Sequence, residues 1–135
     1  MAALGELRRR GLTLGALGNV DEASFETLLG RLGLTFDITV TAQRVGAFKP
    51  DKAHFMAALS DLRALGIEKE QVLHVAQSKR ADIVPATELG LACIWVDRPG
   101  HVFGRRGDRA ERARATWRVE SLAELVSSRR PGADP

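Results

Sequence analysis

Four apolar stretches, "LTLGAL" (12–17), "FDITVTA" (36–42), "QVLHVA" (71–76) and "LACIWVD" (91–97), recur along the chain with helical segments between them. This alternation limits the fold more than any other feature. Each stretch is short, near-continuously apolar or β-branched, and flanked by turn residues, as strands covered on both faces are. Between the first two strands, Phe25, Leu28, Leu29 and Leu32 fall at helical spacing after a capping Asp21 or Ser24 and stop at Gly33. "KAHFMAALSDLRALG" (52–66) reads as an amphipathic helix, and "IVPATELG" (83–90) as a helix with Pro85 in its first turn and Gly90 at its end. Leu4 and Leu7, followed by Gly11, predict a short opening helix. Strands alternating with helices in this way predict an α/β fold, a doubly wound parallel sheet with helices on both faces.

The whole of 1–135 reads as one domain. "RVGAFKPD" (44–51) is expected as a loop, because Pro50 has no N–H to give a ladder. Residues 99–115 are expected as a basic loop, "TWRVESLAELVSS" (116–128) as a short strand and a last helix, and 129–135 as a frayed tail. The net charge of +3 is too small to imply a nucleic-acid partner, and the five arginines between Arg105 and Arg114 are interspersed with Asp108 and Glu111 as on a solvated loop. The single cysteine, Cys93, lies in an apolar run and has no disulfide partner within the chain. With no apolar run near the ~20 residues that cross a bilayer, a soluble cytoplasmic protein without a membrane partner is expected.

In a doubly wound sheet the ligand binds beyond the carboxyl ends of the strands. Three such ends carry polar residues here: "GNVD" with Asn19, "RVGAFKPD" with Lys49, and "AQSKRAD" with Ser78 and Asp82. An amide, an ammonium group, a hydroxyl and a carboxylate converging there suit a small anionic substrate. Each also has a structural reading. Asn19 suits a turn, Lys49 an exposed loop, and Ser78 and Asp82 the cap of the helix near Pro85. His74 inside "VLHVA" suits a strand residue with a satisfied ring, His54 and His101 have no metal-ligand spacing, and Trp95 and Trp117 suit the core.

The same segments, in the same order, resemble the haloacid dehalogenase-like hydrolase superfamily, particularly its dehalogenase-like (type II) branch. "LGALGNVD" is similar to that family's second motif, with Asn19 at the amide position and Gly18 where a Ser or Thr hydroxyl is usual. "VGAFKPD" followed by "AHF" resembles the third motif, with Lys49 as its lysine, and "HVAQSKRADIVPATELGLACIWVDR" the fourth, with Asp82 as its acid. The resemblance implies a Rossmann-like core in which an aspartate ending the first strand forms a covalent ester that water cleaves. It implies that Lys49 holds that carboxylate, that Asn19 and Ser78 bind the substrate or leaving group, and that Asp82 positions Lys49, water or a metal. It implies a haloacid or a phosphate ester as substrate.

No Asp-x-Asp occurs in the chain and no aspartate precedes Leu12, so the nucleophile motif and the cap domain that follows it in the family are absent from these residues. Asp21 is the carboxylate nearest to the first strand but follows the second motif. Gln77 stands where phosphatases of the family carry a second carboxylate, so no metal site and no cofactor are expected, with Mg²⁺ confined to a phosphatase-type reading. In the dehalogenase pattern Gln77 and Lys79 replace Ser and Asn, and Phe55 replaces a tyrosine. The family's strand order, 5-4-1-2-3, puts the absent strand at the centre of the sheet. Two strand edges are then exposed, to pair directly ("LTLGAL" with "QVLHVA"), to self-associate, or to receive a complementing chain. The expected protein is a truncated 2-haloacid dehalogenase-type hydrolase, inactive alone. The alternatives are one half of a split hydrolase, or a phosphatase of the same superfamily whose true start lies upstream.

Overall fold

The computed structural model describes residues 2–100 and 108–127. Their elements run α1 (Ala2–Arg9), β1 (Gly15–Gly18), α2 (Glu22–Leu32), β2 (Ile38–Thr41), α3 (Ala42–Val45), α4 (Ala53–Ala64), β3 (Leu73–Ala76), α5 (Val84–Glu88), β4 (Ala92–Val96), α6 (Asp108–Arg112), β5 (Trp117–Val119) and α7 (Leu122–Ser127). Every ladder is parallel, so the architecture is the α/β class that the strand–helix rhythm predicts. The chain divides into two compact units, Met1–Glu68 and Lys69–Pro135.

In the first unit β1 pairs with β2, Gly15 opposite Ile38 and Gly18 opposite Thr41. The ladder starts at Gly15 rather than Leu12 because Asp37 intervenes. Its carboxylate accepts from the Leu14 N–H at 2.8 Å, its own N–H donates to the Leu14 carbonyl at 2.8 Å, and Leu12 is left half exposed. Asp21, rather than Ser24, caps α2, accepting from the Ser24 N–H, and Gly33 closes the helix in the left-handed conformation. Burial in this unit concentrates on β2 and α4, in Val40, Phe55, Ala58 and Leu62. No residue of α2 is buried, although its apolar stripe has helical spacing. Part of the expected loop 44–51 is helical. Thr41 accepts from the Arg44 N–H at 3.1 Å and Gly46 ends the turn at φ 69°, so α3 is a single capped turn too short to show a period.

In the second unit the order is β3-β4-β5. Ile94, Val96 and Val119 form its core, joined by Val75, Trp117, Leu122 and Leu125. The central strand β4 is almost wholly buried, whereas β3 is only partly so. In "LTLGAL" the strand β1 is bonded to β2, and in "QVLHVA" the strand β3 to β4, each within its own unit. Each therefore has a ladder partner on one side only among the described residues, which accounts for their shallow burial.

The basic stretch expected as a loop contains α6, seated by Ala110, which is buried, and by an ion pair between Arg109 and Glu88. His101, Arg105 and the tail 129–135 lie outside the described residues. No helix among the described residues is long and apolar enough to cross a membrane.

Candidate active site

Asn19 follows directly on the carboxyl end of β1, and Lys49 sits in the loop between α3 and α4, joined to Pro50 by a cis peptide bond. The two are locked together by reciprocal hydrogen bonds. The Lys49 N–H donates to Asn19 Oδ1 at 2.7 Å, and Asn19 Nδ2 donates to the Lys49 carbonyl at 3.1 Å. The Asn19 amide thus mimics a strand neighbour and clamps the lysine's backbone at the strand end. Lys49 Nζ, half-buried, lies 3.4 Å from the Leu17 carbonyl on β1. A second N–H and lone pair of the Asn19 amide lie beyond this clamp, as its chemistry provides.

The loop is braced from outside its own sequence. Arg44 of α3 donates to both carboxylate oxygens of Asp61 on α4, at 2.7 and 2.9 Å, and to the Thr39 carbonyl of β2 at 2.9 Å. The guanidinium hydrogen bonds hold the Asp61 carboxyl below its ordinary range and push Arg44 upward. Asp21, considered above for its nearness to β1, is committed to the helix. Its carboxylate accepts from the Ser24 N–H at 2.8 Å and hydroxyl at 2.7 Å, and the backbone bond in particular lowers its pKa.

In the second unit the segment after β3 forms a π-helical turn, Lys79–Ile83, rather than an open loop. Ser78 caps it, accepting from the Ala81 N–H at 3.1 Å, and the Ile83 N–H reaches back five residues to the Ser78 carbonyl. Asp82 lies inside this turn, buried, 3.0 Å from His74 Nε2 on β3. Ser78 therefore has the capping role open to it from sequence, one turn earlier than Pro85, while Asp82 faces a histidine instead. Neither the π turn nor the His74–Asp82 pair has a local sequence signal, because the pair links a strand to a turn eight residues on.

Lys79 is also buried. Its ammonium group lies 4.1 Å over the Trp95 ring and donates to the Ala113 carbonyl at 3.1 Å. The Trp95 indole N–H donates to the Gln77 carbonyl at 3.1 Å, fastening the strand-end loop to β4. Gln77 itself is exposed. No cluster of three or more His, Cys, Asp or Glu suited to a metal occurs among the described residues.

Parallel ladders whose strands are linked through helices define the class of doubly wound α/β proteins. Within that class, residues 1–96 match the family described as haloacid dehalogenase-like hydrolase, and the chain belongs to it. It is 32% identical over 126 residues to the (S)-2-haloacid dehalogenase of Pseudomonas sp. strain YL, covering 92% of this chain and 50% of that protein. It is 36% identical over 99 residues to the phosphoserine phosphatase of Thermus thermophilus, covering 72% of this chain and 39% of that protein. Among solved structures, the HAD phosphatase from Thermococcus onnurineus superposes with a TM-score of 0.75 at 26% identity, over 94% of this chain and 54% of that one. The chain spans about half the length of these relatives or less.

Proposed function

We propose that this chain carries the lysine, amide and acid part of a dehalogenase-type hydrolase acting on small organic anions with a halogen beside the carboxylate. The observation that carries this reading is the reciprocal clamp between Asn19 and Lys49, which fixes the backbone of a lysine at the end of a strand, where an anionic substrate would bind. In this reading Lys49 offsets negative charge as the substrate reacts, and Asn19 adds an amide N–H toward substrate or leaving group. Ser78 and Asp82 belong to the second unit, where Ser78 caps the π turn and Asp82 meets His74, and a role for them in the reaction rests on the family resemblance alone. The (S)-2-haloacid dehalogenase relative supports the substrate class.

The nucleophile is the missing part. No Asp-x-Asp is present, and Asp21 is spent on the α2 cap. We therefore assign the attacking aspartate to a strand outside these 135 residues, contributed by upstream sequence or a second polypeptide; within its own sheet, β1 and β3 each keep one edge without a ladder partner among the described residues. Self-association through the same edges is the alternative use of them. The chain alone is accordingly inactive.

A phosphatase-type reading draws support from the phosphoserine phosphatase relative. It requires Mg²⁺, a hard cation that prefers carboxylate oxygens. The donor set suits it poorly: Gln77 is a neutral amide and Asp82 already meets His74. The dehalogenase-type reading, which needs no metal, fits these side chains better.

The test is co-expression with an N-terminal segment of a relative that supplies the first strand, its aspartate and the cap. Halide release from a 2-haloacid is expected from the complex, lost on Lys49→Ala, with none from the 135-residue chain. Turnover by the chain alone, or a complex that releases only phosphate from phosphate esters, overturns the assignment.

A further inference from the structure

His54 is the second residue of α4, is fully buried, and takes no part in the chemistry above. One ring nitrogen, Nε2, lies 3.0 Å from the Gly18 carbonyl at the end of β1. The other, Nδ1, is buried with no hydrogen-bond partner among the described residues. A carbonyl oxygen can only accept, so the nitrogen facing it carries the proton and Nδ1 carries the bare lone pair. The contact thus fixes the tautomer, and it costs a buried acceptor left unsatisfied. Histidine at this buried place is expensive unless the Gly18 contact matters.

The Gly18 carbonyl belongs to the peptide from which Asn19 springs. Residue 18 has no side chain with which to fix that peptide itself. A Cβ there would lie 3.2 Å from Val20 Cγ2 and 3.4 Å from Phe25 Cε2, tighter than ordinary contact. We propose that His54 is the positioning residue of the Asn19–Lys49 clamp: by donating from Nε2 to the Gly18 carbonyl it sets the plane of the Gly18–Asn19 peptide, and so aims the Asn19 amide at the Lys49 backbone. This rests on the assignment of Asn19 and Lys49 as site residues for its functional meaning. The structural claim stands on the three contacts alone.

The test uses the ¹⁵N-labelled 135-residue chain and needs no turnover, so a failure of the hydrolase assignment leaves it intact. Long-range nitrogen–proton correlation spectra of His54 are expected to show the Nε2–H tautomer, with Nδ1 unprotonated. His54→Gln places an N–H at the same distance along the side chain, whereas His54→Leu fills space without one. Hydrogen-exchange protection of the Lys49 backbone amide is expected to fall about tenfold in His54→Leu, as for a lost hydrogen bond. It is expected to recover in His54→Gln. An Nδ1–H tautomer in the wild type overturns the proposal, as does equal Lys49 protection in the Leu and Gln variants, which is what a purely space-filling role gives. Should His54→Leu fail to fold, the wild-type tautomer and protection in His54→Gln decide the matter on their own.

Discussion

Asp61→Asn isolates the brace that holds the ends of the Lys49 loop. Asp61 accepts two guanidinium hydrogen bonds from Arg44, at 2.7 and 2.9 Å, and the two side chains retain 29% and 38% exposure. An exposed ion pair is worth roughly 0.2–1 kcal/mol, and paired bonds from one guanidinium place this one at the upper end, about 1 kcal/mol after solvent screening. The Arg44 bond to the Thr39 carbonyl survives the substitution and limits the loss. The sign with pH follows from the lowered Asp61 pKa, caused first by the Arg44 hydrogen bond. A carboxyl depressed in the folded state contributes its full stability above the unfolded aspartate value and loses it as the pH falls through the folded value. Equilibrium urea denaturation at neutral pH is therefore expected to show Asp61→Asn less stable by about 1 kcal/mol. The gap should close in acid, where a protonated Asp61 carries no more charge than the asparagine, and narrow in high salt. A gap that persists unchanged in acid would refute the electrostatic account and point to packing.

Three further substitutions test other parts of the structure. Ile94→Ala, at a 1%-exposed position in the core of the second unit, is expected to cost roughly 2–5 kcal/mol in the same assay; a loss under ~1 kcal/mol would mean that this core is not packed as described. Asp82→Asn keeps the shape of the buried side chain but removes the charge facing His74, with an expected loss of about 1 kcal/mol and a visible shift of the His74 ring resonances. Gly33→Ala forces a Cβ into a left-handed helix end at φ 63° and should cost about 1 kcal/mol in thermal unfolding, although open space surrounds the site.

The fold was largely legible because its signals are local. Gly33 ends α2, Asp21 caps it, Pro85 opens α5, and the four apolar runs each contain a strand. Strand ends were harder to read, since the side chain of Asp37 replaces a ladder partner for Leu14 from 23 residues away. Asn19, Lys49, Ser78 and Asp82 were legible as polar residues at or beyond strand ends, and the structure brings Asn19 and Lys49 together as a clamp. The supporting contacts were not. His54 to Gly18, Arg44 to Asp61, Lys79 to Trp95 and His74 to Asp82 each join residues from different elements, and no periodicity or spacing rule encodes such a pairing. Lys79 shows the difficulty best: in sequence it is one more surface-type cation, and only the fold places its ammonium group on an indole.

The division into two parallel sheets has a bearing on how the chain acquires its structure. Each ladder joins strands roughly 20 residues apart, close to the shortest crossover that a parallel pair allows. Loop-closure entropy for each pairing is then small, and neither sheet waits on a distant part of the polypeptide. During synthesis the β1–β2 pairing can form while the residues of β4 and β5 are still within the ribosome. The Asn19–Lys49 clamp can accordingly form before the second sheet does.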